Sequence, residues 1–358
     1  MIDFLIIGGG IAGISAAARL SDLGSVTLLE SEDALAYHAS GRSAALYERN
    51  YGKPSTVALN AASYDFHSTA DVLGPRGLML VGRGDDKAFF DADFAQMGLQ
   101  RLSVAEGREI FPILDPAVIT QIGYDDRAQD IDTDRLVQTF ARMAKKNGSQ
   151  IITKAEVKEI KRTSTSWIVQ TKSDRYEAKN IVNAAGAWVD GIAQMAGIPP
   201  IGFSPLRRSM ARIPAPVGHD VSAWPMVFAA GETWYAKPDA GALIVSPADE
   251  DLMPPHDAYA DDMVLAEGLA RFEDNVTMSV TRLLASWAGL RTFSPDRTLV
   301  LGPDQADPSF LWCAGQGGYG MQSSPAASQL LADLVAGRAP ELSAPDIAAL
   351  SPARFGQS

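Results

Sequence analysis

The chain has 358 residues, 46% hydrophobic and 21% charged, with a formal net charge of −12 at pH 7 and a single cysteine. This acidity, with no basic cluster, argues against a nucleic-acid partner or an anionic membrane surface; Cys313 alone rules out an internal disulfide or a thiolate metal cluster. No apolar run approaches the roughly 18 residues of a membrane span, the first strand starts at once without a basic, then apolar leader, and His38, His67, His219 and His256 lack metal-ligand spacing, so a soluble, cytoplasmic, metal-free protein is expected.

At the amino end, Phe4–Ile7 reads as a buried parallel strand, followed by Gly8, Gly10 and Gly13 in the spacing G-x-G-x-x-G, then a helix over Ile14–Leu23. Gly8 permits the tight turn, Gly10 lets a pyrophosphate touch the backbone, and Gly13 lets helix and strand pack closely. Ile11 and Ala12 lie in this turn, before a helix whose free N–H groups and positive dipole face an anion. A second strand, Val26–Glu30, ends in an acid suited to the ribose hydroxyls of an adenosine, with Ser31 beside it. A 2′-phosphate would be repelled there. The unit therefore reads as a dinucleotide site.

Small residues follow in His38–Ala45, where Gly41, Arg42, Ser43 and Ala44 suit close approach by a ligand. Helices are expected over Pro54–Leu73, Lys87–Met97, Ser103–Phe111 and Asp134–Asn147, and a short strand over Leu78–Val81. Gly123–Asp132 reads as polar and turn-like. Strands resume at Ile151–Thr153, Val157–Lys161, Trp167–Thr171 and Tyr176–Ala178. A buried strand from Ile181 then runs through Ala185 and Gly186 to Trp188 and a helix over Val189–Ala196, an element expected beside the first strand in one sheet. Arg208–Ile213, Trp234–Lys237, Leu243–Ser246 and Ser286–Phe293 read as an antiparallel sheet, interrupted by Pro254, Pro255 and Ala258–Leu265. Leu311–Gly315 is a last buried strand, Gln316–Gly320 a glycine loop, and Ser324–Val335 a helix ended by Gly337. Parallel pieces at the start, middle and end imply an α/β (α+β) fold: a discontinuous Rossmann-like domain (1–72, 145–203, 287–346) and an antiparallel-sheet substrate domain (73–144, 204–286).

The glycine turn with Glu30, the segments His38–Ala45, Asp130–Asp134, Val182–Trp188 and Trp287–Arg291, and the loop Gly315–Gly320 together resemble the D-amino-acid oxidase superfamily of FAD-dependent oxidoreductases, in order along nearly the whole chain. Gly41–Ala45, Tyr51-Gly52, Arg207–Ser209, Tyr235–Gly241 and Gln316–Gln322 are most similar to its bacterial D-arginine dehydrogenase-like members. The resemblance implies noncovalent FAD and oxidation of the CH–NH2 bond of a D-amino acid to an imino acid, which hydrolyses to a 2-keto acid and ammonia. It leaves open glycine, sarcosine or D-proline-type substrates, 2-hydroxy acids, and a role as flavin subunit of a heteromeric amine dehydrogenase. The electron acceptor (oxygen, quinone or a partner protein) is not specified.

Such chemistry needs a grip on the substrate carboxylate, stabilisation of the reduced flavin and exclusion of water. Arg291 and Arg208 are the candidate carboxylate holders, because a guanidinium can grip both oxygens, with Tyr235 as a hydroxyl partner. Arg291 lies in an apolar strand, where an unpaired charge is costly; whether Arg207 or Arg208 points inward is a period-two question. Gly318 and Tyr51 are expected to frame the amine, Tyr51 as a gate. Gly317, Gly318, Tyr319, Gly320, Met321 and Gln322 form the loop and helix start expected at the flavin, and Val157 resembles an adenine-side residue. Leu78 stands where relatives that prefer cationic substrates carry an acid, which favours an apolar or broad side-chain range; Glu48 is an alternative source of negative charge. Gly289 and Leu290 stand where covalently flavinylated relatives carry a cysteine, and Cys313 reads as core.

Overall fold

In the computed structural model, which describes residues 1–356, three sheets are present among the described residues. The first is built on β1 (Ile2–Ile7), which is followed by α1 (Ile11–Leu20) and β2 (Val26–Leu29). β1 pairs in parallel with β2 on one side and with the strand Arg175–Asn183 on the other, Ile7 opposite Asn183. Gln150–Ile152 extends the sheet beyond β2. On the opposite side, Arg175–Asn183 changes partner along its length. Its first half pairs with Trp167–Thr171, and its second half pairs in parallel with Phe310–Ala314. The expected neighbouring of the Ile181 strand and the first strand is therefore observed.

Alternation explains why β1 is continuously apolar. Phe4 and Ile6 face a core shared with α1 and the helices Thr133–Lys146 and Gly320–Ala336, while Leu5 and Ile7 face a second core under Trp167 and Val189. A strand buried on both faces has no polar position to offer. Each fully buried Leu or Ile contributes roughly 1.5–3 kcal/mol of transfer free energy.

The second sheet has nine strands and is antiparallel except where Met226–Ala229 runs parallel to Leu78–Gly82. Here too alternation sorts the side chains. Met79, Val81, Val227 and Ala236 pack under the helix Asp262–Glu273. Leu78, Leu80, Phe228 and Tyr235 face the other way, toward Ala44, Leu46 and Tyr51. That second face forms the wall of the site described below. A small third sheet joins Leu46–Tyr47, Gln129–Ile131 and Leu73–Pro75.

Several expectations are corrected. Gly123–Asp132 turns only at residues 126–128; the rest falls on the strands Gln121–Asp125 and Gln129–Ile131. α1 starts at Ile11 rather than Ile14. The helix from Pro54 stops at Thr69, because Asp71 takes a positive φ of 54°. The last large helix begins at Gly320 and contains Pro325 near its start. The interruption at Ala258–Leu265 contains the start of a helix, Asp262–Glu273, capped by Asp261. The strand Ala285–Phe293 pairs continuously with Ser204–Arg212. No helix among the described residues is long and apolar enough to cross a membrane.

Candidate active site

Two adjoining cavities lie where the first sheet meets the second. The larger, about 860 Å³, runs from the β1–α1 turn to the loop Gly315–Gly318. The other, about 760 Å³, extends from that loop over the second sheet. Ser43, Ala44, Arg208, Arg291, Gly318 and Met321 line both, so they form the border between them.

The first cavity begins at Gly10, Ile11 and Ala12. The turn before it demands glycine. Gly8 has φ +108°, and a Cβ on Gly13 would stand 1.9 Å from the Gly8 carbonyl oxygen. α1 starts on Gly10 without a side-chain cap, so the N–H groups of its first turn have no carbonyl within the helix; Ile11 donates its own to Ser40 Oγ at 3.0 Å. Glu30, buried at the end of β2, accepts the Gly9 N–H at 2.6 Å and the Glu32 N–H at 2.8 Å, and takes the Ser31 hydroxyl at 3.0 Å. The acid thus ties the strand end to the glycine turn. At the far end, Gly317 takes φ +50°, and a Cβ there would meet the Phe293 ring at 2.4 Å. Gln316 and Thr292 line this end; both amide atoms of Gln316 and the Thr292 hydroxyl are buried with no partner among the described residues. Buried polar groups are otherwise almost always paired, so these atoms call for a polar ligand.

Arg42 lines the same cavity and fastens its wall. Its guanidinium donates to Asp257, to the Ala258 carbonyl and to the Ala288 carbonyl. Lys237, buried, fastens the border. Its ammonium donates to the carbonyls of Ala44 and Ala45 at 2.5 and 3.0 Å and lies 2.7 Å from Asp130, which also pairs with Arg76. Burial pushes the Lys237 pKa down, against the Asp130 charge.

In the second cavity the cations are not equivalent. Both Arg207 and Arg208 are buried, but only Arg208 lines the cavities; Arg207 points to Asp249 and Asp251. Arg208 donates to the Asp249 carbonyl at 3.0 Å and to Glu250 at 3.2 Å, and sits 5.9 Å from the Tyr235 ring. Arg291 has no hydrogen bond or ion pair to its guanidinium among the described residues. Burial acts to lower its pKa, but the surrounding Tyr51, Tyr235, Glu232 and Glu250 raise it overall, so it stays charged. Its guanidinium carbon is 3.1 Å from where a Cβ of Gly318 would stand; only a glycine there admits it so close to the loop. Tyr51 packs against Tyr319 with ring centroids 5.1 Å apart, and burial pushes its hydroxyl pKa well up.

Of the residues singled out from sequence, Gly10, Ile11, Ala12, Arg42, Ser43, Ala44, Gly186, Gly317, Gly318, Gly320 and Met321 line the first cavity, and Arg208, Arg291, Tyr235, Tyr51, Gly318, Met321 and Gln322 the second. Others stand behind these walls. Gly41 passes close to the Ala36 carbonyl, Trp188 rests against His38 at 4.8 Å, and Tyr319 supports Tyr51. Val157 is buried in the core under the first sheet, and neither it nor Ala185 reaches a cavity wall. Sequence reasoning does not single out Lys237, Asp130, Gln316, Ser40 or Glu232, although all but Glu232 lie within the segments that carry the resemblance. Their lone polar atoms in apolar strands or glycine loops were the available signal.

A family model described as FAD dependent oxidoreductase matches residues 3–334. The chain belongs to that family. FAD is its cofactor, and the glycine turn, the free helix N-terminus and the partnerless Gln316 and Thr292 suit such a ligand. Family relatives include L-2-hydroxyglutarate dehydrogenase from Salmonella houtenae, 30% identical over 220 residues, covering 56% of this chain and 51% of the relative. The chain spans about half the length of that relative. Among solved structures, L-α-glycerophosphate oxidase from Mycoplasma pneumoniae with FAD bound superposes with a TM-score of 0.83 at 20% identity, over 93% of this chain and 94% of that one. Glycine oxidase from Geobacillus kaustophilus gives 0.81 at 21% identity, over 98% of each chain. At such identities these likenesses show the FAD-dependent oxidoreductase fold.

Proposed function

We propose that this oxidoreductase dehydrogenates D-amino acids of apolar or broad side-chain range to imino acids, which hydrolyse to 2-keto acids and ammonia. The observation that carries this is Arg291, a partly buried guanidinium at the border of the two cavities without a partner among the described residues. An unpaired charge in such a place is costly until a carboxylate meets it. A small acid gripped there holds its α-carbon beside the first cavity. In this reading the residues from Gly8 to Gly13, with Glu30 and Ser31, hold the dinucleotide end of FAD, and Ser43, Ala44 and the Gln316–Gly318 loop hold the ring. When bound there, FAD would supply the acceptor for the hydride that leaves the α-carbon.

The chain's own residues do the rest. Arg291 grips the carboxylate, with Arg208 and Tyr235 behind it, and Arg208 is already partly neutralised by Glu250. Tyr51 and the Gly318 backbone frame the amine. The apolar wall of Leu46, Leu78, Met226 and Phe228 excludes water. No histidine or lysine lines this cavity among the described residues; in this reading the site selects the neutral amine, and the rate rises with pH through an apparent pKa. D-stereopreference rests on the sequence resemblance.

Two other readings keep the same clamp. A glycine or N-methyl amino-acid substrate is supported by the shared fold with glycine oxidase, and a 2-hydroxy acid by the L-2-hydroxyglutarate dehydrogenase relative. Against a dicarboxylate stand Glu48 and Glu232, which line the same cavity and repel a second carboxylate. Anaerobic bleaching of the flavin decides. The expected result is reduction by D-amino acids, and not by sarcosine or 2-hydroxyglutarate. No bleaching by any D-amino acid overturns the proposal.

A further inference from the structure

We propose that the buried polar face of the helix Pro54–Thr69 is the positioning element of the site, with Asn60 setting the Tyr51 segment and Ser63 and His67 setting the cavity end of the helix Gly320–Ala336. The inference rests on the flavin and acid placements given above, and not on which acid reacts. Thr56, Asn60, Ser63 and His67 recur at spacings of four, three and four, so they share one helix face, and all four are fully buried. A buried helix face is ordinarily apolar, because polar groups are costly there unless they are bonded. Here they reach two neighbouring segments, both of which wall the second cavity.

The start of the helix Gly320–Ala336 needs such support. Pro325 has no N–H to give the Met321 carbonyl, and the Ser324 hydroxyl donates to it instead at 3.2 Å. One residue on, the Gln322 carbonyl and the Ala326 N–H, partners in a regular helix, are both engaged from outside. His67 Nε2 donates to the carbonyl at 2.9 Å, and Ser63 Oγ accepts the N–H at 3.1 Å while its own hydrogen goes to the Leu59 carbonyl at 2.7 Å. Burial pushes the His67 pKa down, so the ring is neutral, and a neutral ring facing a carbonyl carries its one proton on Nε2. This turn brings Gly320 and Met321 to the first cavity, and Met321 and Gln322 to the second. Farther along the same face, Asn60 Nδ2 donates to the Tyr51 carbonyl at 3.0 Å and to the Arg49 carbonyl at 3.3 Å. Gln322 closes the circuit, since its Oε1 accepts the Glu48 N–H at 2.9 Å. Three segments are thus tied in one ring of hydrogen bonds, and a rigid helix sets the separation between the Tyr51 segment and the helix start.

The test uses the FAD-loaded enzyme without substrate. Reduction of the ring gathers negative charge, which the positive end of the helix Gly320–Ala336 stabilises; displacing that end makes the ring harder to reduce. In His67→Leu the reduced-to-oxidised ratio at a fixed potential is expected to fall at least about threefold, roughly 14 mV for a two-electron couple, and Ser63→Ala shifts it the same way. His67→Gln, which keeps an N–H donor near the place of Nε2, restores the wild-type value. Asn60→Ala leaves the potential unchanged and weakens binding of isovalerate, an unreactive acid titrated against the visible flavin spectrum, about fivefold, the scale of one hydrogen bond. A purely structural helix face would lower the thermal midpoint in these variants and leave the potential and the isovalerate affinity at wild-type values; that result overturns the proposal. A shift in His67→Leu that His67→Gln fails to restore also overturns it, and if His67→Leu does not fold, Ser63→Ala decides the potential. If the shifts appear and no D-amino acid reduces the flavin, the proposed reaction falls and the positioning element stands. If D-amino acids reduce the flavin and both readouts stay unmoved, the positioning element alone falls.

Discussion

Arg291 and Glu48 are each costly to bury, and among the described residues neither has a partner of opposite charge. Folding does not favour this, because a partly buried unpaired charge weakens the native state. Arg291→Met is expected to raise KM for the amino acid and to lower kcat/KM by at least roughly thirtyfold, the loss that follows truncation of one member of a buried charge pair. An unchanged KM would refute the clamp. Glu48 makes a second prediction. Its pKa is raised in the folded chain from 4.5 to about 6. A raised acid favours the folded state while protonated, so its contribution is fully present below pH 4.5 and lost as pH rises through about 6. The size is about 2 kcal/mol, at 1.36 kcal/mol per pKa unit. Glu48→Gln should therefore exceed the wild type in urea stability above pH 7 and match it near pH 4. A constant difference across that range would show that the carboxyl does not titrate as described.

At the scale of elements, the site is built where strands end and loops begin. The border loop Ser43–Ala45 has no regular pairing of its own, and Lys237 satisfies its carbonyls from the second sheet. Lys237→Met leaves the Ala44 and Ala45 carbonyls without their donor and Asp130 with Arg76 alone. A loss of about 3–5 kcal/mol is expected, as for breaking a buried ion pair, with weaker FAD retention, both measurable by thermal unfolding followed at the flavin absorbance. A stability loss without any change in FAD release would separate the loop from the cofactor. In the glycine turn, Gly13→Ala forces a Cβ to within 1.9 Å of the Gly8 carbonyl. The backbone must move, and FAD should bind at least tenfold more weakly in equilibrium dialysis. These turns were readable in advance because steric exclusion acts over a few residues. The strands Gln121–Asp125 and Gln129–Ile131 were not, because their polar residues pair with distant strands that local spacing does not reveal. The helix Asp262–Glu273 was missed although Asp261 and Asp262 are a good start signal; the prolines before it dominated the local pattern.

For the whole molecule, the join of the two sheets decides how the cofactor is held. Cys313 is buried beside the Ala12 carbonyl, and burial pushes its pKa up to about 12. It lines the first cavity, but its raised pKa keeps the thiol protonated and a poor nucleophile toward the flavin. Acid precipitation should leave the pellet colourless and the supernatant yellow; colour kept in the pellet would contradict noncovalent FAD.

What the residue order determined alone is the nucleotide end: a strand apolar at every position, glycines at fixed spacing, and an acid closing the second strand. Those constraints are steric and local, so they are written in consecutive residues. The tertiary structure alone decided the charges of the second cavity. Pairing of Ala285–Phe293 with Ser204–Arg212, and the seating of residues 43–51 against the second sheet, left Arg291 and Glu48 unpaired while neutralising Arg207 and Arg208. Whether a charge is paired depends on what the fold brings beside it from far along the chain, and no spacing within the sequence records that.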